Sequence, residues 1–185
     1  MSAAPVEKKV IIAGHVGSGK TTALHSIFGD DMLSTDAKYS DALASEKKKT
    51  TTVAMDYGAI TCPKTDYRLH LYAIPGQERF QFMWEILGKN TDGLVVLVDA
   101  KRPNPIAAIH LYLDKILPFL NRAVVVVALN KLSLEEREVL KLPPYLRHGD
   151  LRLRLTTTDA QNPEEVFALL RLLLDEMIPS GQTEG

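Results

Sequence analysis

The chain has 185 residues, 45% of them hydrophobic and 24% charged, which gives one ordinary domain with a real core and excludes a disordered chain. A net charge of -1 leaves no basic field for nucleic acid or an anionic membrane, so any anion must be caught locally. The single cysteine, Cys62, excludes an intramolecular disulfide and a cysteine-only metal site, and fits a reducing compartment.

Lys8 to Ala13 is almost continuously apolar, the pattern of a strand covered by helices on both faces. Lys20 to Phe28 follows with helical spacing. The polar stretch from Gly29 onward has no sustained period, ends in Lys47-Lys48-Lys49 and reads as a long surface loop over residues 29–51. Met55 to Cys62 and Tyr67 to Tyr72 are mixed strands near a sheet edge, joined by a hairpin turn at Pro63-Lys64-Thr65-Asp66.

Beyond the hairpin, helical spacing over Arg79 to Leu87, Pro105 to Leu117 and Leu134 to Leu140 alternates with apolar strands at Gly93 to Val98 and Ala123 to Leu129. Leu151 to Leu155 alternates leucine and arginine, as a half-exposed sixth strand would. The last helix, Glu164 to Met177, has Asn162 as N-cap, Pro163 in its first position and Glu165 placed to reach back to the cap. Its Val166, Leu169, Leu170, Leu173 and Met177 share one face. This order predicts an α/β fold of three layers: a six-stranded, mostly parallel sheet with one antiparallel edge strand and about five helices. Residues 8–178 form the domain, with flexible ends at 1–7 and 179–185.

No apolar run approaches the roughly 20 residues of a membrane span. Met1-Ser2-Ala3-Ala4-Pro5 lacks a signal-peptide core, Ser2 stands where myristoylation needs glycine, and the last residues carry no prenylation cysteine. A cytoplasmic protein with no direct membrane anchor and no nucleic-acid partner is expected.

Gly14-His15-Val16-Gly17-Ser18-Gly19-Lys20-Thr21 matches GxxxxGK[ST] between a buried strand and a helix start, the context a phosphate loop requires. The glycines let successive N–H groups turn inward onto phosphate oxygens, and the positive end of the following helix adds to the attraction. Gly14, His15, Val16, Gly17, Ser18, Gly19, Lys20, Thr21 and Thr22 are therefore candidate nucleotide-binding residues, with Lys20 on the outer phosphates and the Thr21 hydroxyl on magnesium. Switches, motors and small-molecule kinases all use such loops, so the reaction must come from other residues.

Pro75-Gly76-Gln77-Glu78 resembles the switch II motif of Ras-like small GTPases, and Thr52-Val53-Ala54-Met55-Asp56-Tyr57 resembles their switch I threonine leading into a strand. The longer strings Thr50 to Gly58 and Pro75 to Trp84 are similar to bacterial conservon-type GTP-binding proteins, relatives of the gliding-polarity GTPases. The resemblance spans residues 8 to about 178 and implies a P-loop NTPase of Ras-like G-domain type. It implies GTP and GDP as substrate and product, and Mg2+ held by Thr21 and Thr52. Catalysis falls to Gln77, Lys20 and Gly76: Gly76 offers its N–H to the γ-phosphate and Gln77 orients the attacking water. It also implies a roadblock-type regulatory partner.

Three departures stand out. Ala73 occupies the place of the aspartate that holds magnesium through water, an absence shared by the gliding-polarity branch. Val16 replaces a glycine near the γ-phosphate, which predicts slow intrinsic hydrolysis and an activating partner. Asn130-Lys131-Leu132-Ser133 resembles NKxD with serine in place of the base-reading aspartate, and one hydroxyl is a weaker acceptor than a carboxylate. Glu135 or Glu136 is a possible replacement. Thr157-Thr158-Asp159-Ala160 resembles the base-supporting loop, with Asp159 and Ala160 at the base, and reads equally as a polar turn entering the last helix.

Trp84, Phe80 and Phe82 pack under switch II or form a partner surface, and Asp99 supports the site or caps a helix. The expected function is a GTP-binding switch in bacterial signalling or cell polarity. The alternative is a nucleotide-bound interaction scaffold with little turnover and relaxed base specificity. No arginine-rich lid follows the helices, which argues against a small-molecule phosphotransferase.

Overall fold

Alternation inside the apolar runs decides which layer each side chain joins. In β1 (Val6–Ala13), Val10 and Ile12 point to one side of the sheet and Ile11 and Ala13 to the other, all at most 2% exposed. Burial on this scale stabilises a fold by about 1.5–3 kcal/mol for each large aliphatic side chain, so both faces must be covered. Helices α1 (Lys20–Phe28) and α5 (Pro163–Met177) cover the Val10 side, where Leu24, Val166, Leu170 and Leu173 meet it. Helix α3 (Pro105–Ile116) covers the Ile11 side with Ile109, Leu113 and Ile116, joined by Trp84 of α2 (Phe82–Gly88).

The computed structural model describes residues 4–40, 50–62, 65–77 and 80–178, with the main chain alone at 34–40 and 50–54. Further strands are β2 (Leu33–Ser40), β3 (Thr50–Thr61), β4 (Tyr67–Ala73), β5 (Gly93–Asp99), β6 (Val124–Asn130), β7 (Tyr145–His148) and β8 (Leu151–Thr157); the remaining helix is α4 (Leu134–Leu140). The sheet order is β2-β3-β4-β1-β5-β6-β8-β7. Pairs β1–β4, β1–β5, β5–β6 and β6–β8 are parallel, whereas β3 and β7 run against their neighbours. Among the described residues no helix is long and apolar enough to cross a membrane.

The sheet has eight strands rather than the expected six, and two of them, β3 and β7, run antiparallel rather than one. The 29–51 segment is not a loop throughout: a 3-10 turn at Gly29–Asp31 leads into β2, which pairs with β3 from Leu33 opposite Tyr57 to Ser40 opposite Thr50. Its sequence, LSTDAKYS, alternates Leu33, Thr35, Ala37 and Tyr39 with the polar Ser34, Asp36, Lys38 and Ser40, a two-residue period too weak to mark a strand. Lys47-Lys48-Lys49 lies outside the described residues. β7 is too short for its period to show; it folds back on β8 through Gly149, whose φ is 59°.

At the ends, β1 already starts at Val6, whose N–H donates to Asp66 O, so residues 6 and 7 are strand rather than flexible end. Residues 1–3, 63, 64, 78, 79 and 179–185 lie outside the described residues. Helix α2 begins at Phe82, three residues later than the spacing suggests. In α5, Asn162 caps by accepting from Glu164 N at 3.0 Å, with Pro163 behind it. Glu165 does not reach back to that cap; its Oε2 accepts from Asp159 N and from Arg137 Nη1, both at 2.7 Å.

The parallel strands β4, β1, β5, β6 and β8 end along one edge of the sheet, where Gly76 follows β4, Gly14 follows β1, Asn130 closes β6 and Ala160 follows β8. Parallel strands ending together in this way form the crevice where α/β folds bind ligands.

Candidate functional site

The loop between β1 and α1 is shaped by left-handed glycines, with φ of 146° at Gly14, 78° at Gly17 and 104° at Gly19. A side chain at Gly14 would run into Leu97 O, and one at Gly19 into the Asn130 amide, so close main-chain approach on both sides demands glycine. Helix α1 opens on Gly19 with no side-chain cap and no acidic residue in its first turn, which leaves its N–H groups for an anion. Lys20 is only 9% exposed, and its Nζ donates to Gly14 O and His15 O at 2.8 Å each. Burial lowers this lysine from the usual 10.5 to about 8. Beneath the loop, Ser18 is fully buried and its Oγ makes no hydrogen bond to the protein. A cradle of inward main chain with a buried cation at its centre fits a polyphosphate.

At the outer end, Thr21 Oγ1 donates to Asp56 Oδ2 at 2.6 Å. Asp56 sits on β3 directly opposite Ala73 of β4, so the neighbouring strand supplies the carboxylate that position 73 lacks. The aspartate was visible in the sequence, but its place depends on sheet register, which a linear reading does not give. A hydroxyl and a carboxylate are the hard oxygen donors that suit magnesium. Thr52, the other expected ion ligand, contributes main chain to β3 opposite Lys38, and its side chain lies outside the described residues.

A cavity of about 220 Å³ is bounded here by Val16, Lys20, Thr21, Asp56, Gly76 and Gln77. Gly76 lies so close to the loop that a side chain on it would meet His15 C and Val16 N at 2.6 Å. The side chain of Val16 is 64% exposed, and Gln77 is exposed as well. His15 packs on Tyr112 at 5.0 Å between ring centroids, and Tyr112 in turn on Trp84 at 5.6 Å. Phe80 and Trp84 are buried and Phe82 is half-buried: Trp84 packs against α3, whereas Phe80 and Phe82 pack with Met83 and Met55 in a separate small cluster, so these aromatics do not form an open surface.

On the other side of Lys20, a cleft of about 540 Å³ is lined by Thr22, Asn130, Lys131, Ser133, Asp159 and Ala160. Asn130, 3% exposed, ties the three loops together: Nδ2 donates to Ser18 O at 2.9 Å, and Oδ1 accepts from Lys131 N at 2.8 Å and Ala160 N at 3.1 Å. Lys131 adopts a left-handed φ of 70°, and its Nζ donates to Asp99 Oδ2 at 2.7 Å. Burial pushes the Asp99 carboxyl up, but hydrogen bonds from Lys131 and the Lys101 N–H outweigh it and hold the group below the usual carboxylate range. Asp99 therefore anchors Lys131.

Ser133 is the N-cap of α4. Its Oγ accepts from Glu136 N at 3.2 Å, while its own N–H donates to Glu136 Oε2 at 2.8 Å, a reciprocal capping box. Glu136 is also paired with Lys101, so it faces the helix start and Lys101. Asp159 accepts from Gln161 N at 2.9 Å. Of the sequence-derived residues, Gly17, Gly19, Lys20, Thr21, Thr22, Asn130, Lys131, Asp159 and Ala160 line the larger cleft, and Val16, Gly76 and Gln77 line the smaller one, with Gly17, Lys20 and Thr21 common to both; Gly14, His15 and Ser18 line neither.

This sheet order and loop define a phosphate-loop G domain. The chain superposes on the G domain of the T. maritima FeoB iron transporter with a TM-score of 0.64, covering 94% of this chain and 100% of that one at 19% identity. Mouse Ras-related protein Rab-7b is 31% identical over 139 residues, which is 72% of this chain and 64% of its own length. An uncharacterized protein of Methanocaldococcus jannaschii is 32% identical over 96 residues, 52% of this chain and 53% of that protein. The chain therefore spans between half and two thirds of these relatives. Residues 30–181 match the family described as conserved hypothetical ATP binding protein. The chain belongs to that family, and its fold is that of a G domain.

Proposed function

We propose that the chain is a GTP-dependent switch of the bacterial conservon and gliding-polarity type, which hydrolyses GTP slowly in the cytoplasm and is accelerated by a roadblock-type partner. The observation that carries this reading is the position of Lys20 and Thr21 on the wall between the two cavities, one sized for a nucleoside and the other closed by Gly76 and Gln77. A triphosphate laid through the loop spans both.

In this reading Lys20 leaves the Gly14 and His15 carbonyls for the outer phosphates, and Gly76 turns its N–H to the third phosphate. Gln77 orients the water whose oxygen attacks the γ-phosphorus while the bond to the bridging oxygen breaks, releasing GDP and phosphate. Thr21 and Asp56 would hold the magnesium ion, with Thr52 joining them when the third phosphate is present. When bound, the ion neutralises phosphate charge. Val16, exposed beside the third-phosphate site, crowds the transition state and keeps the intrinsic rate low.

The test is mass spectrometry of nucleotide released from the purified chain, followed by titration of wild type and Lys20→Ala with Mg–GTP. Bound guanine nucleotide and loss of binding in the variant are expected; no binding by wild type contradicts the proposal. Exposed Val16 also favours a second reading, a nucleotide-bound scaffold with little turnover. A Gln77→Ala variant unchanged in both turnover and partner affinity supports the scaffold.

A further inference from the structure

The base end of the cleft leads to an inference that rests on its being a triphosphate site and adds which purines it admits. Guanine presents two adjacent donors, N1–H and N2–H2, beside the acceptor O6; adenine presents an acceptor, N1, beside the donor N6–H2. A wall that selects guanine must offer two acceptors to the first pair and a donor to O6.

Most of the groups that face this end are committed elsewhere. The Ala160 N–H, a donor placed at the cleft, is held by Asn130 Oδ1 at 3.1 Å. One lone pair of Ser133 Oγ is taken by Glu136 N at 3.2 Å, and the carboxylate of Glu136 is taken by Ser133 N and Lys101. Lys131 Nζ is held by Asp99 at 2.7 Å. Among the described residues lining the cleft, Asp159 carries the one carboxylate; its Oδ1 accepts from Gln161 N at 2.9 Å, and its Oδ2 remains a second acceptor that competes with Ser133. Ser133 therefore keeps one lone pair and one O–H hydrogen that rotates freely. Toward guanine the lone pair satisfies one of two donors; toward adenine the O–H satisfies N1.

We propose that Ser133 reads the purine as a rotatable hydroxyl, so that the chain accepts ATP and GTP with similar affinity. The helix cap is what makes serine ambivalent: α4 consumes the acceptor capacity that would otherwise favour guanine.

The experiment is equilibrium binding of fluorescent GTP and ATP analogues, with magnesium, to the full chain and to Ser133→Asp. Aspartate is also a good N-cap, so α4 keeps its start while the cleft gains a charged acceptor. Wild type is expected to bind the two within about fivefold of each other, and the variant to shift the ratio toward GTP by about tenfold or more, the span of one hydrogen bond to a charged group. An unchanged melting temperature shows that the variant folds. A wild-type GTP preference above about fivefold, or a variant ratio that does not move, overturns the proposal while leaving the GTP switch intact. If Asp159→Asn alone abolishes a GTP preference, Asp159 is the reader and the proposal fails. Binding of neither nucleotide removes the triphosphate reading and the proposal with it.

Discussion

Asp56 faces Thr21 across 2.6 Å and stands opposite Ala73 in the β3–β4 register. In the proposed reading, the carboxylate that would hold the ion thus comes from the antiparallel neighbour of the strand the resemblance assigns it to. Replacing Asp56 with Asn keeps the shape and removes the charge. Mg-dependent GTP affinity should fall by about tenfold or more, read as the ratio of Kd values with magnesium and with EDTA. The melting temperature should hardly move, because a surface contact of this kind contributes less than about 1 kcal/mol.

Lys20 gives the site a pH signature. Its folded value of about 8 lies below the usual 10.5, so between those limits the unfolded chain holds a proton that the folded, nucleotide-free chain lacks. Stability of the free protein therefore rises with pH across that window. Binding runs the other way: phosphate restores the charge, so above about pH 8 each nucleotide takes up a proton and affinity falls by up to about tenfold per pH unit. Calorimetry at pH 8.5 in buffers of different ionisation enthalpy should show net proton uptake, absent in Lys20→Arg.

Asn130 holds Ser18, Lys131 and Ala160 at once. Asn130→Ala should cost about 2–4 kcal/mol, because it strands buried polar groups on three segments. Denaturant unfolding should place it well below Lys131→Ala, whose partner Asp99 remains partly solvated. Nucleotide binding should fall in both.

Val16→Gly should speed single-turnover hydrolysis without partner. The wild-type rate is expected well below about 0.1 per second, since unassisted hydrolysis in such sites lies near 10⁻⁴ per second.

The central strands and the α-helices were legible because burial writes itself into periodicity: β1, β5 and β6 carry unbroken apolar runs at residues 10–13, 94–98 and 124–129, and α1 and α4 occupy the segments that helical spacing marks. β2 and β7 were not: the alternation in β2 is weak, with Thr35 and Ala37 at two of its four less polar positions, and β7 has only four residues. At the site, Gly14 to Thr21 was legible as a motif, whereas Asp56 required register. Ser133 carried its missing carboxylate openly. Its role as a helix cap appeared only with the geometry of Glu136, three residues on.

The switch itself is tested most directly by hydrogen exchange of the chain loaded in turn with GTP and GDP. Greater protection with GTP over β3 and over Ile74–Gln77, with the Asn130 region unchanged, is the predicted result. Equal protection in the two states would contradict it.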